Sequence, residues 1–244
     1  MTKKSYWPIV RGVISAILIF ILLQLIGGFA AIGLDKLPIK LPSILIGLTS
    51  IYIAEIAVVF MFLHEKGDGK HFIKKYAERL KFHKINNFPL ILLETVSLIA
   101  LVIGINLLLF FIVGGKNTGN ATTTSLTNKS LGLWIPLVSY IMPVIIAPFF
   151  EETIFRGILG KQFDVFNGKT SNKVAYLITE SLFFGLMHLQ LTGSTLAMIT
   201  AVTGPAVSGL FFGIVYLKTK NISNNIAIHG TYNLFTVLMT MLVS

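Results

Sequence analysis

Seven predominantly apolar runs, at about residues 8–34, 41–63, 88–113, 131–159, 174–191, 196–217 and 225–243, alternate with polar breaks along this 244-residue chain. A helix crossing a bilayer needs about 20 such residues, and in lipid every backbone N–H and C=O must find its partner inside the protein. The expected fold is therefore all-α, a polytopic membrane bundle with about seven transmembrane helices. Composition agrees: 12% of the residues are charged, against roughly 25% in soluble domains. The first run follows Lys3 and Lys4 but is longer than a signal-peptide core and leads into further spans, so a retained helix is expected.

The formal charge of +10 raises nucleic acid as a partner, and the distribution of the basic residues answers it. With a cytoplasmic N-terminus, fifteen lysines and arginines fall on inside segments, seven of them between Lys66 and Lys84, against Lys36, Lys40, Lys116 and Lys129 outside. That bias is the positive-inside pattern. It predicts a multi-pass protein of the cell membrane with its N-terminus in and C-terminus out, and it accounts for the charge without nucleic acid.

The chain has no cysteine, which removes disulfide frameworks, Cys-based zinc sites and thiol nucleophiles. Residues 71–83 set Phe72, Ile73, Tyr76 and Leu80 beside Lys74, Lys75 and Arg79, a pattern suited either to a helix lying on anionic lipid or to a solvated basic loop. Residues 114–130 are polar, as an external loop should be, and the sequons at Asn120 and Asn128 mark exposure. Gly209 and Gly213 offer a small-xxx-small face for close helix packing, expected to be used within the molecule.

Ionisable residues inside spans cost about 2.5–3.5 kcal/mol each at the bilayer centre and mark function by default. Those here are Glu55, Glu94, Glu151, Glu152, Arg156, Glu180, His188 and His229. Glu94 sits near the start of its run and is expected to reach the interface, while Glu55 is alone on its helix and suits a helix–helix hydrogen bond. In "APFFEETIFRG", Glu152 and Arg156 are four apart in the favoured acid-then-base order. Glu151 is turned about 100° from Glu152. A division of labour follows: Glu152 and Arg156 as a structural pair, Glu151 facing the bundle interior as a candidate general base. Phe184 and His188 align on one helix, His229 and Asn233 on another. Glu180, two turns before His188, is the rival to Glu151 as the carboxylate facing the histidines.

These three elements resemble the type II CAAX protease family, also called the Abi or CPBP group, whose pattern is EExxxR, then FxxxH, then HxxxN or HxxxD on successive helices. They stand here as Glu151-Glu152-Thr-Ile-Phe-Arg156, Phe184-Gly-Leu-Met-His188 and His229-Gly-Thr-Tyr-Asn233. The resemblance covers about residues 131–243. It divides the chain into N-terminal helices with a basic loop over 1–130 and a protease-like core over 131–244, in one integrated domain. It implies an intramembrane endopeptidase acting on a membrane-anchored or hydrophobic peptide, by CAAX-type, bacteriocin or signal-peptide processing. Glu151 would activate water, His188 orient it, and His229 with Asn233 stabilise the oxyanion, with Glu152, Arg156 and Phe184 in support. Such chemistry needs an activated nucleophile and donors aimed at developing negative charge.

Glu151, His188 and His229 also make a His₂Glu zinc donor set, so metal-independent and zinc-dependent catalysis both remain open. Two other functions compete. A non-catalytic bacteriocin-immunity or scaffold protein of the same fold would have little use for these polar groups, and a proton-coupled transporter would use the acids as a relay.

Overall fold

A computed structural model describes residues 6–38, 41, 43–63, 88–112, 137–189 and 195–243. Among them are seven helices and no strand: α1 (Trp7–Asp35), α2 (Ser43–Leu63), α3 (Phe88–Ile112), α4 (residues 137–162), α5 (Thr170–Met187), α6 (Thr195–Thr219) and α7 (Ile222–Val243). Each corresponds to one apolar run. The basic segment at 71–83 and the polar one at 114–130 lie outside the described residues.

Four helices, α1, α2, α3 and α6, are long and apolar enough to cross a membrane by length and composition. The three others carry the motif residues: polar side chains lower the hydropathy of α5 and α7, and α4 is broken into shorter segments by its change of winding. Phe29, Phe88 and Phe111 are each more than 70% exposed on helix faces that bear no charge of their own. Monomeric soluble proteins rarely show such continuous apolar surface; lipid is the solvent that suits it.

One core cluster joins the first three helices to the last four. Ala16 and Ile19 of α1, Val58 of α2 and Leu98 of α3 are buried with Ile154 and Leu159 of α4, Tyr176 of α5, Phe212 of α6 and Ile228 of α7. The start of α1 also meets the end of α4, where Arg11 Nε donates to Gln162 O at 2.9 Å and Nη2 to Lys161 O at 3.3 Å. Both carbonyls end α4; Lys161 O also accepts from the N–H of Asp164 at 3.1 Å.

Helix α4 is irregular, with π winding over Leu137–Ile146 and again over Thr153–Leu159 around the short α-helical Ala147–Glu152. The cause is legible in two prolines, Pro143 and Pro148, neither of which can donate a ladder hydrogen bond. In π register the carbonyl of Pro143 would look to residue 148, which has no N–H. Asn233 Nδ2 of α7 donates to it instead, at 2.7 Å.

Candidate active site

Glu151 and Glu152 occupy the short α-helical stretch between the two π segments, and their surroundings differ sharply. Glu152 is fully buried and accepts from two directions on α7: His229 Nδ1 lies 3.0 Å from Oε1, and Asn225 Nδ2 donates to Oε2 at 3.3 Å. Arg156 Nε stands 3.1 Å from the same Oε2. The side chain of Glu151 keeps 13% of its exposure, and among the described residues its Oε2 has no hydrogen-bond partner. It faces His229 Nε2 across 3.7 Å, too far for a direct hydrogen bond.

Arg156 is the largest fully buried side chain. Beyond Glu152 it stands 3.3 Å from Glu180 Oε2 of α5 and donates from Nη2 to Gly209 O of α6 at 2.9 Å. The contacts to the two carboxylates are at ion-pair distance, whereas the bond to Gly209 O has full hydrogen-bond geometry. The guanidinium also lies 5.0 Å from the centre of the Phe184 ring and 5.2 Å from that of Phe212, in range for cation–π attraction. The expected Glu152–Arg156 pair is present, but it belongs to a network tying α4 to α5, α6 and α7. Glu180 is part of that network and turns to Arg156, not to the histidines.

Close helix approach makes this possible. A Cβ on Gly213 would overlap Glu180 Oε1, and one on Gly209 would crowd Phe184, so the paired glycines of α6 serve packing within the molecule. On α7, a Cβ on Gly230 would stand 2.7 Å from Val144 O. That glycine lets α7 lie against the irregular part of α4 and carries His229 to the carboxylates.

The two histidine rings are held differently. His229 stacks on Phe212 at 4.6 Å between centroids, and its Nδ1 bond to Glu152 leaves Nε2 facing Glu151. His188 lies just past the last turn of α5, where its Nδ1 is 2.8 Å from Phe184 O. A carbonyl only accepts, so Nδ1 carries the proton and Nε2 of neutral His188 is an acceptor. The Phe184 ring touches both imidazoles, at 5.2 Å from His188 and 5.9 Å from His229.

Among the described residues no three His, Asp or Glu side chains converge closely enough to hold a metal ion. Glu151, His188 and His229 thus do not form a three-ligand zinc set in this arrangement. Asn225 and Phe212 had not been singled out from the sequence. Asn225 had a signal, since Asn225, His229 and Asn233 recur every four residues along one face of α7.

The bundle thus buries an arginine between two glutamates and sets a third glutamate against a carboxylate-held histidine. Residues 133–235 match the model of the Type II CAAX prenyl endopeptidase Rce1-like family. It is 29% identical over 127 residues to the UPF0177 protein YbdI of Lactococcus lactis subsp. lactis, covering 51% of this chain and 59% of that one. It is 35% identical over 100 residues to an uncharacterized protein of Mycoplasma capricolum subsp. capricolum, covering 41% of this chain and 26% of that one. The matches thus span less than two thirds of either relative. No solved structure matches the chain.

Proposed function

We propose that this protein is an intramembrane endopeptidase that hydrolyses a membrane-associated or hydrophobic peptide with Glu151 as general base. The observation that carries the reading is the contrast between the adjacent carboxylates: Glu152 is consumed by Arg156, Asn225 and His229, while Glu151 presents an unpartnered oxygen toward His229 Nε2. One glutamate builds the site and the other is left to react.

Glu151 takes a proton from water as the water oxygen bonds to the scissile carbonyl carbon, and His188 Nε2 accepts the second O–H and orients it. The oxyanion so formed takes an N–H from His229 Nε2. Because Nδ1 donates to Glu152, donation from Nε2 requires the imidazolium. The second amide N–H of Asn233, whose first is bound to Pro143 O, is the other donor. Glu151 then passes its proton to the amine nitrogen as the C–N bond breaks. Donors of this kind typically contribute 10²–10³ in kcat each. The N-terminus-in orientation read from the charge bias opens this site toward the cytoplasmic side.

Wild type and Glu151→Ala, expressed in the parent membrane, are compared by mass spectrometry of small peptides and membrane-protein termini. Processed ends that vanish in the variant are expected. Identical profiles from the two strains, with the biological phenotype kept by the variant, overturn the protease reading in favour of an immunity or scaffold role.

A further inference from the structure

Glu55 on α2 is fully buried and, among the described residues, neither of its oxygens has a hydrogen-bond partner. The helix–helix bond that its isolation suggested is thus not made to any of these residues. Asn225 on α7 is equally buried, and it is bonded to two other helices at once.

Its Nδ2 donates to Phe212 O of α6 at 2.7 Å and to Glu152 Oε2 of α4 at 3.3 Å. A carbonyl and a carboxylate only accept, so chemistry fixes which end of the amide points at them, and both amide protons are used. Neither acceptor needs Asn225 to be satisfied. Phe212 lies inside α6, where its carbonyl serves the helix ladder and offers a second lone pair, and Glu152 Oε2 already stands 3.1 Å from Arg156 Nε. On the other side of the amide, Oδ1 is buried without a partner among the described residues, which costs free energy that an apolar side chain of the same size would avoid. What the amide supplies is therefore position.

Two things are positioned, and both hold His229. Asn225 and His229 are one turn apart on α7 and meet the two oxygens of one carboxylate, Nδ2 at Oε2 and Nδ1 at Oε1. Contact at both oxygens stops the Glu152 carboxylate from rotating about its last bond, so Oε1 stays aimed at the imidazole. The bond to Phe212 O fixes the backbone that carries the Phe212 ring, and that ring stacks on His229 at 4.6 Å with 28° between the planes. One amide thus sets both the acceptor at Nδ1 and the aromatic surface on the face of the imidazole.

We infer that Asn225 is a positioning residue that keeps His229 with Nδ1 on Glu152 and Nε2 turned toward Glu151 and the reacting carbonyl. The inference rests on His229 acting as the oxyanion donor. Asn225 touches neither the water nor the peptide in the proposed reaction and exchanges no proton; it acts through Glu152 and Phe212.

The test uses the full-length purified protein with Asn225→Leu, which keeps the volume, Asn225→Ala, which cannot clash, and Asn172→Ala. Asn172 is a buried asparagine of α5 whose Nδ2 donates to Phe163 O at 3.1 Å; it lies about four turns before His188 and reports what losing a buried amide does to the fold alone. The Asn225 variants should lower kcat about ten- to a hundredfold at unchanged KM. Nitrogen NMR of histidine-labelled protein adds a readout that needs no substrate: the His229 signals, assigned by their absence from His229→Gln, should show a protonated Nδ1 in wild type and a mixture of tautomers in the Asn225 variants. Asn172→Ala should lower the melting temperature and leave kcat and the His229 signals as in wild type. A wild-type kcat in the Asn225 variants, or His229 signals that neither variant moves, overturns the inference. So does failure of both variants to fold, which would make Asn225 a residue of the fold and not of His229. Should wild type cleave no better than Glu151→Ala, the protease reading fails by itself, and the NMR arm still decides whether Asn225 holds His229.

Discussion

His229 Nδ1 lies 3.0 Å from Glu152 Oε1, joining residues 77 positions apart in the chain. The bond chooses which imidazole nitrogen faces the solvent-reachable carboxylate, and so links the structural network to the chemistry. Glu152→Ala removes three contacts at once and strands Arg156, so folded protein should fall sharply. Glu151→Ala removes a side chain without hydrogen-bonded obligations at Oε2 and should leave abundance unchanged while abolishing cleavage. Fluorescence-detected size exclusion of the two variants in detergent measures the difference.

Arg156→Ala should destabilise by about 3–5 kcal/mol, the usual consequence of leaving buried charges without their partner. Here two glutamates and the Gly209 carbonyl lose it together. Arg156→Lys should rescue little, since a single ammonium cannot span contacts that a guanidinium fork makes in different directions. Thermal stability of the purified variants checks this, and normal stability in Arg156→Ala would remove the structural role assigned to the network.

Gly230→Ala places a methyl 2.7 Å from Val144 O, a backbone atom that cannot rotate away. Overpacking of this kind costs about 1–3 kcal/mol, and here it also pushes His229 back from Glu151. Activity should drop further than stability does. Equal activity to wild type would mean that the approach of α7 to α4 does not set the site.

Asn233→Ala should lower kcat by about 10²-fold if its second N–H meets the oxyanion. It should also cost about 1 kcal/mol of stability, because its first N–H satisfies Pro143 O. Steady-state kinetics beside thermal melts separate the two parts.

Chelation followed by zinc readdition should leave cleavage unchanged, because the described His and Glu side chains do not converge as three ligands. Activity lost on chelation and restored by zinc would show that His188 moves toward Glu151 and His229 in the working enzyme.

The sequence alone determined the helices, their number and the identity of the polar residues among them. Spanning length and backbone satisfaction are local properties, so apolar runs and their breaks specify them without knowledge of what packs where. It also put Glu152 and Arg156 on one face by spacing. What only the tertiary structure decided is who meets whom. Helical periodicity aligned Glu180 with His188, but α5 ends at Met187, so His188 leaves that face, and Glu180 turns to Arg156. Glu55, alone on its helix in the sequence, is fully buried because α2 packs against α1 and α4. The prolines and π turns of α4 change the angle between successive residues from that of a regular helix, so no fixed period shows which glutamate of the pair turns inward to α7 and which stays open to substrate. Partner choice depends on contacts between helices far apart in the chain, and those are properties of packing, not of spacing.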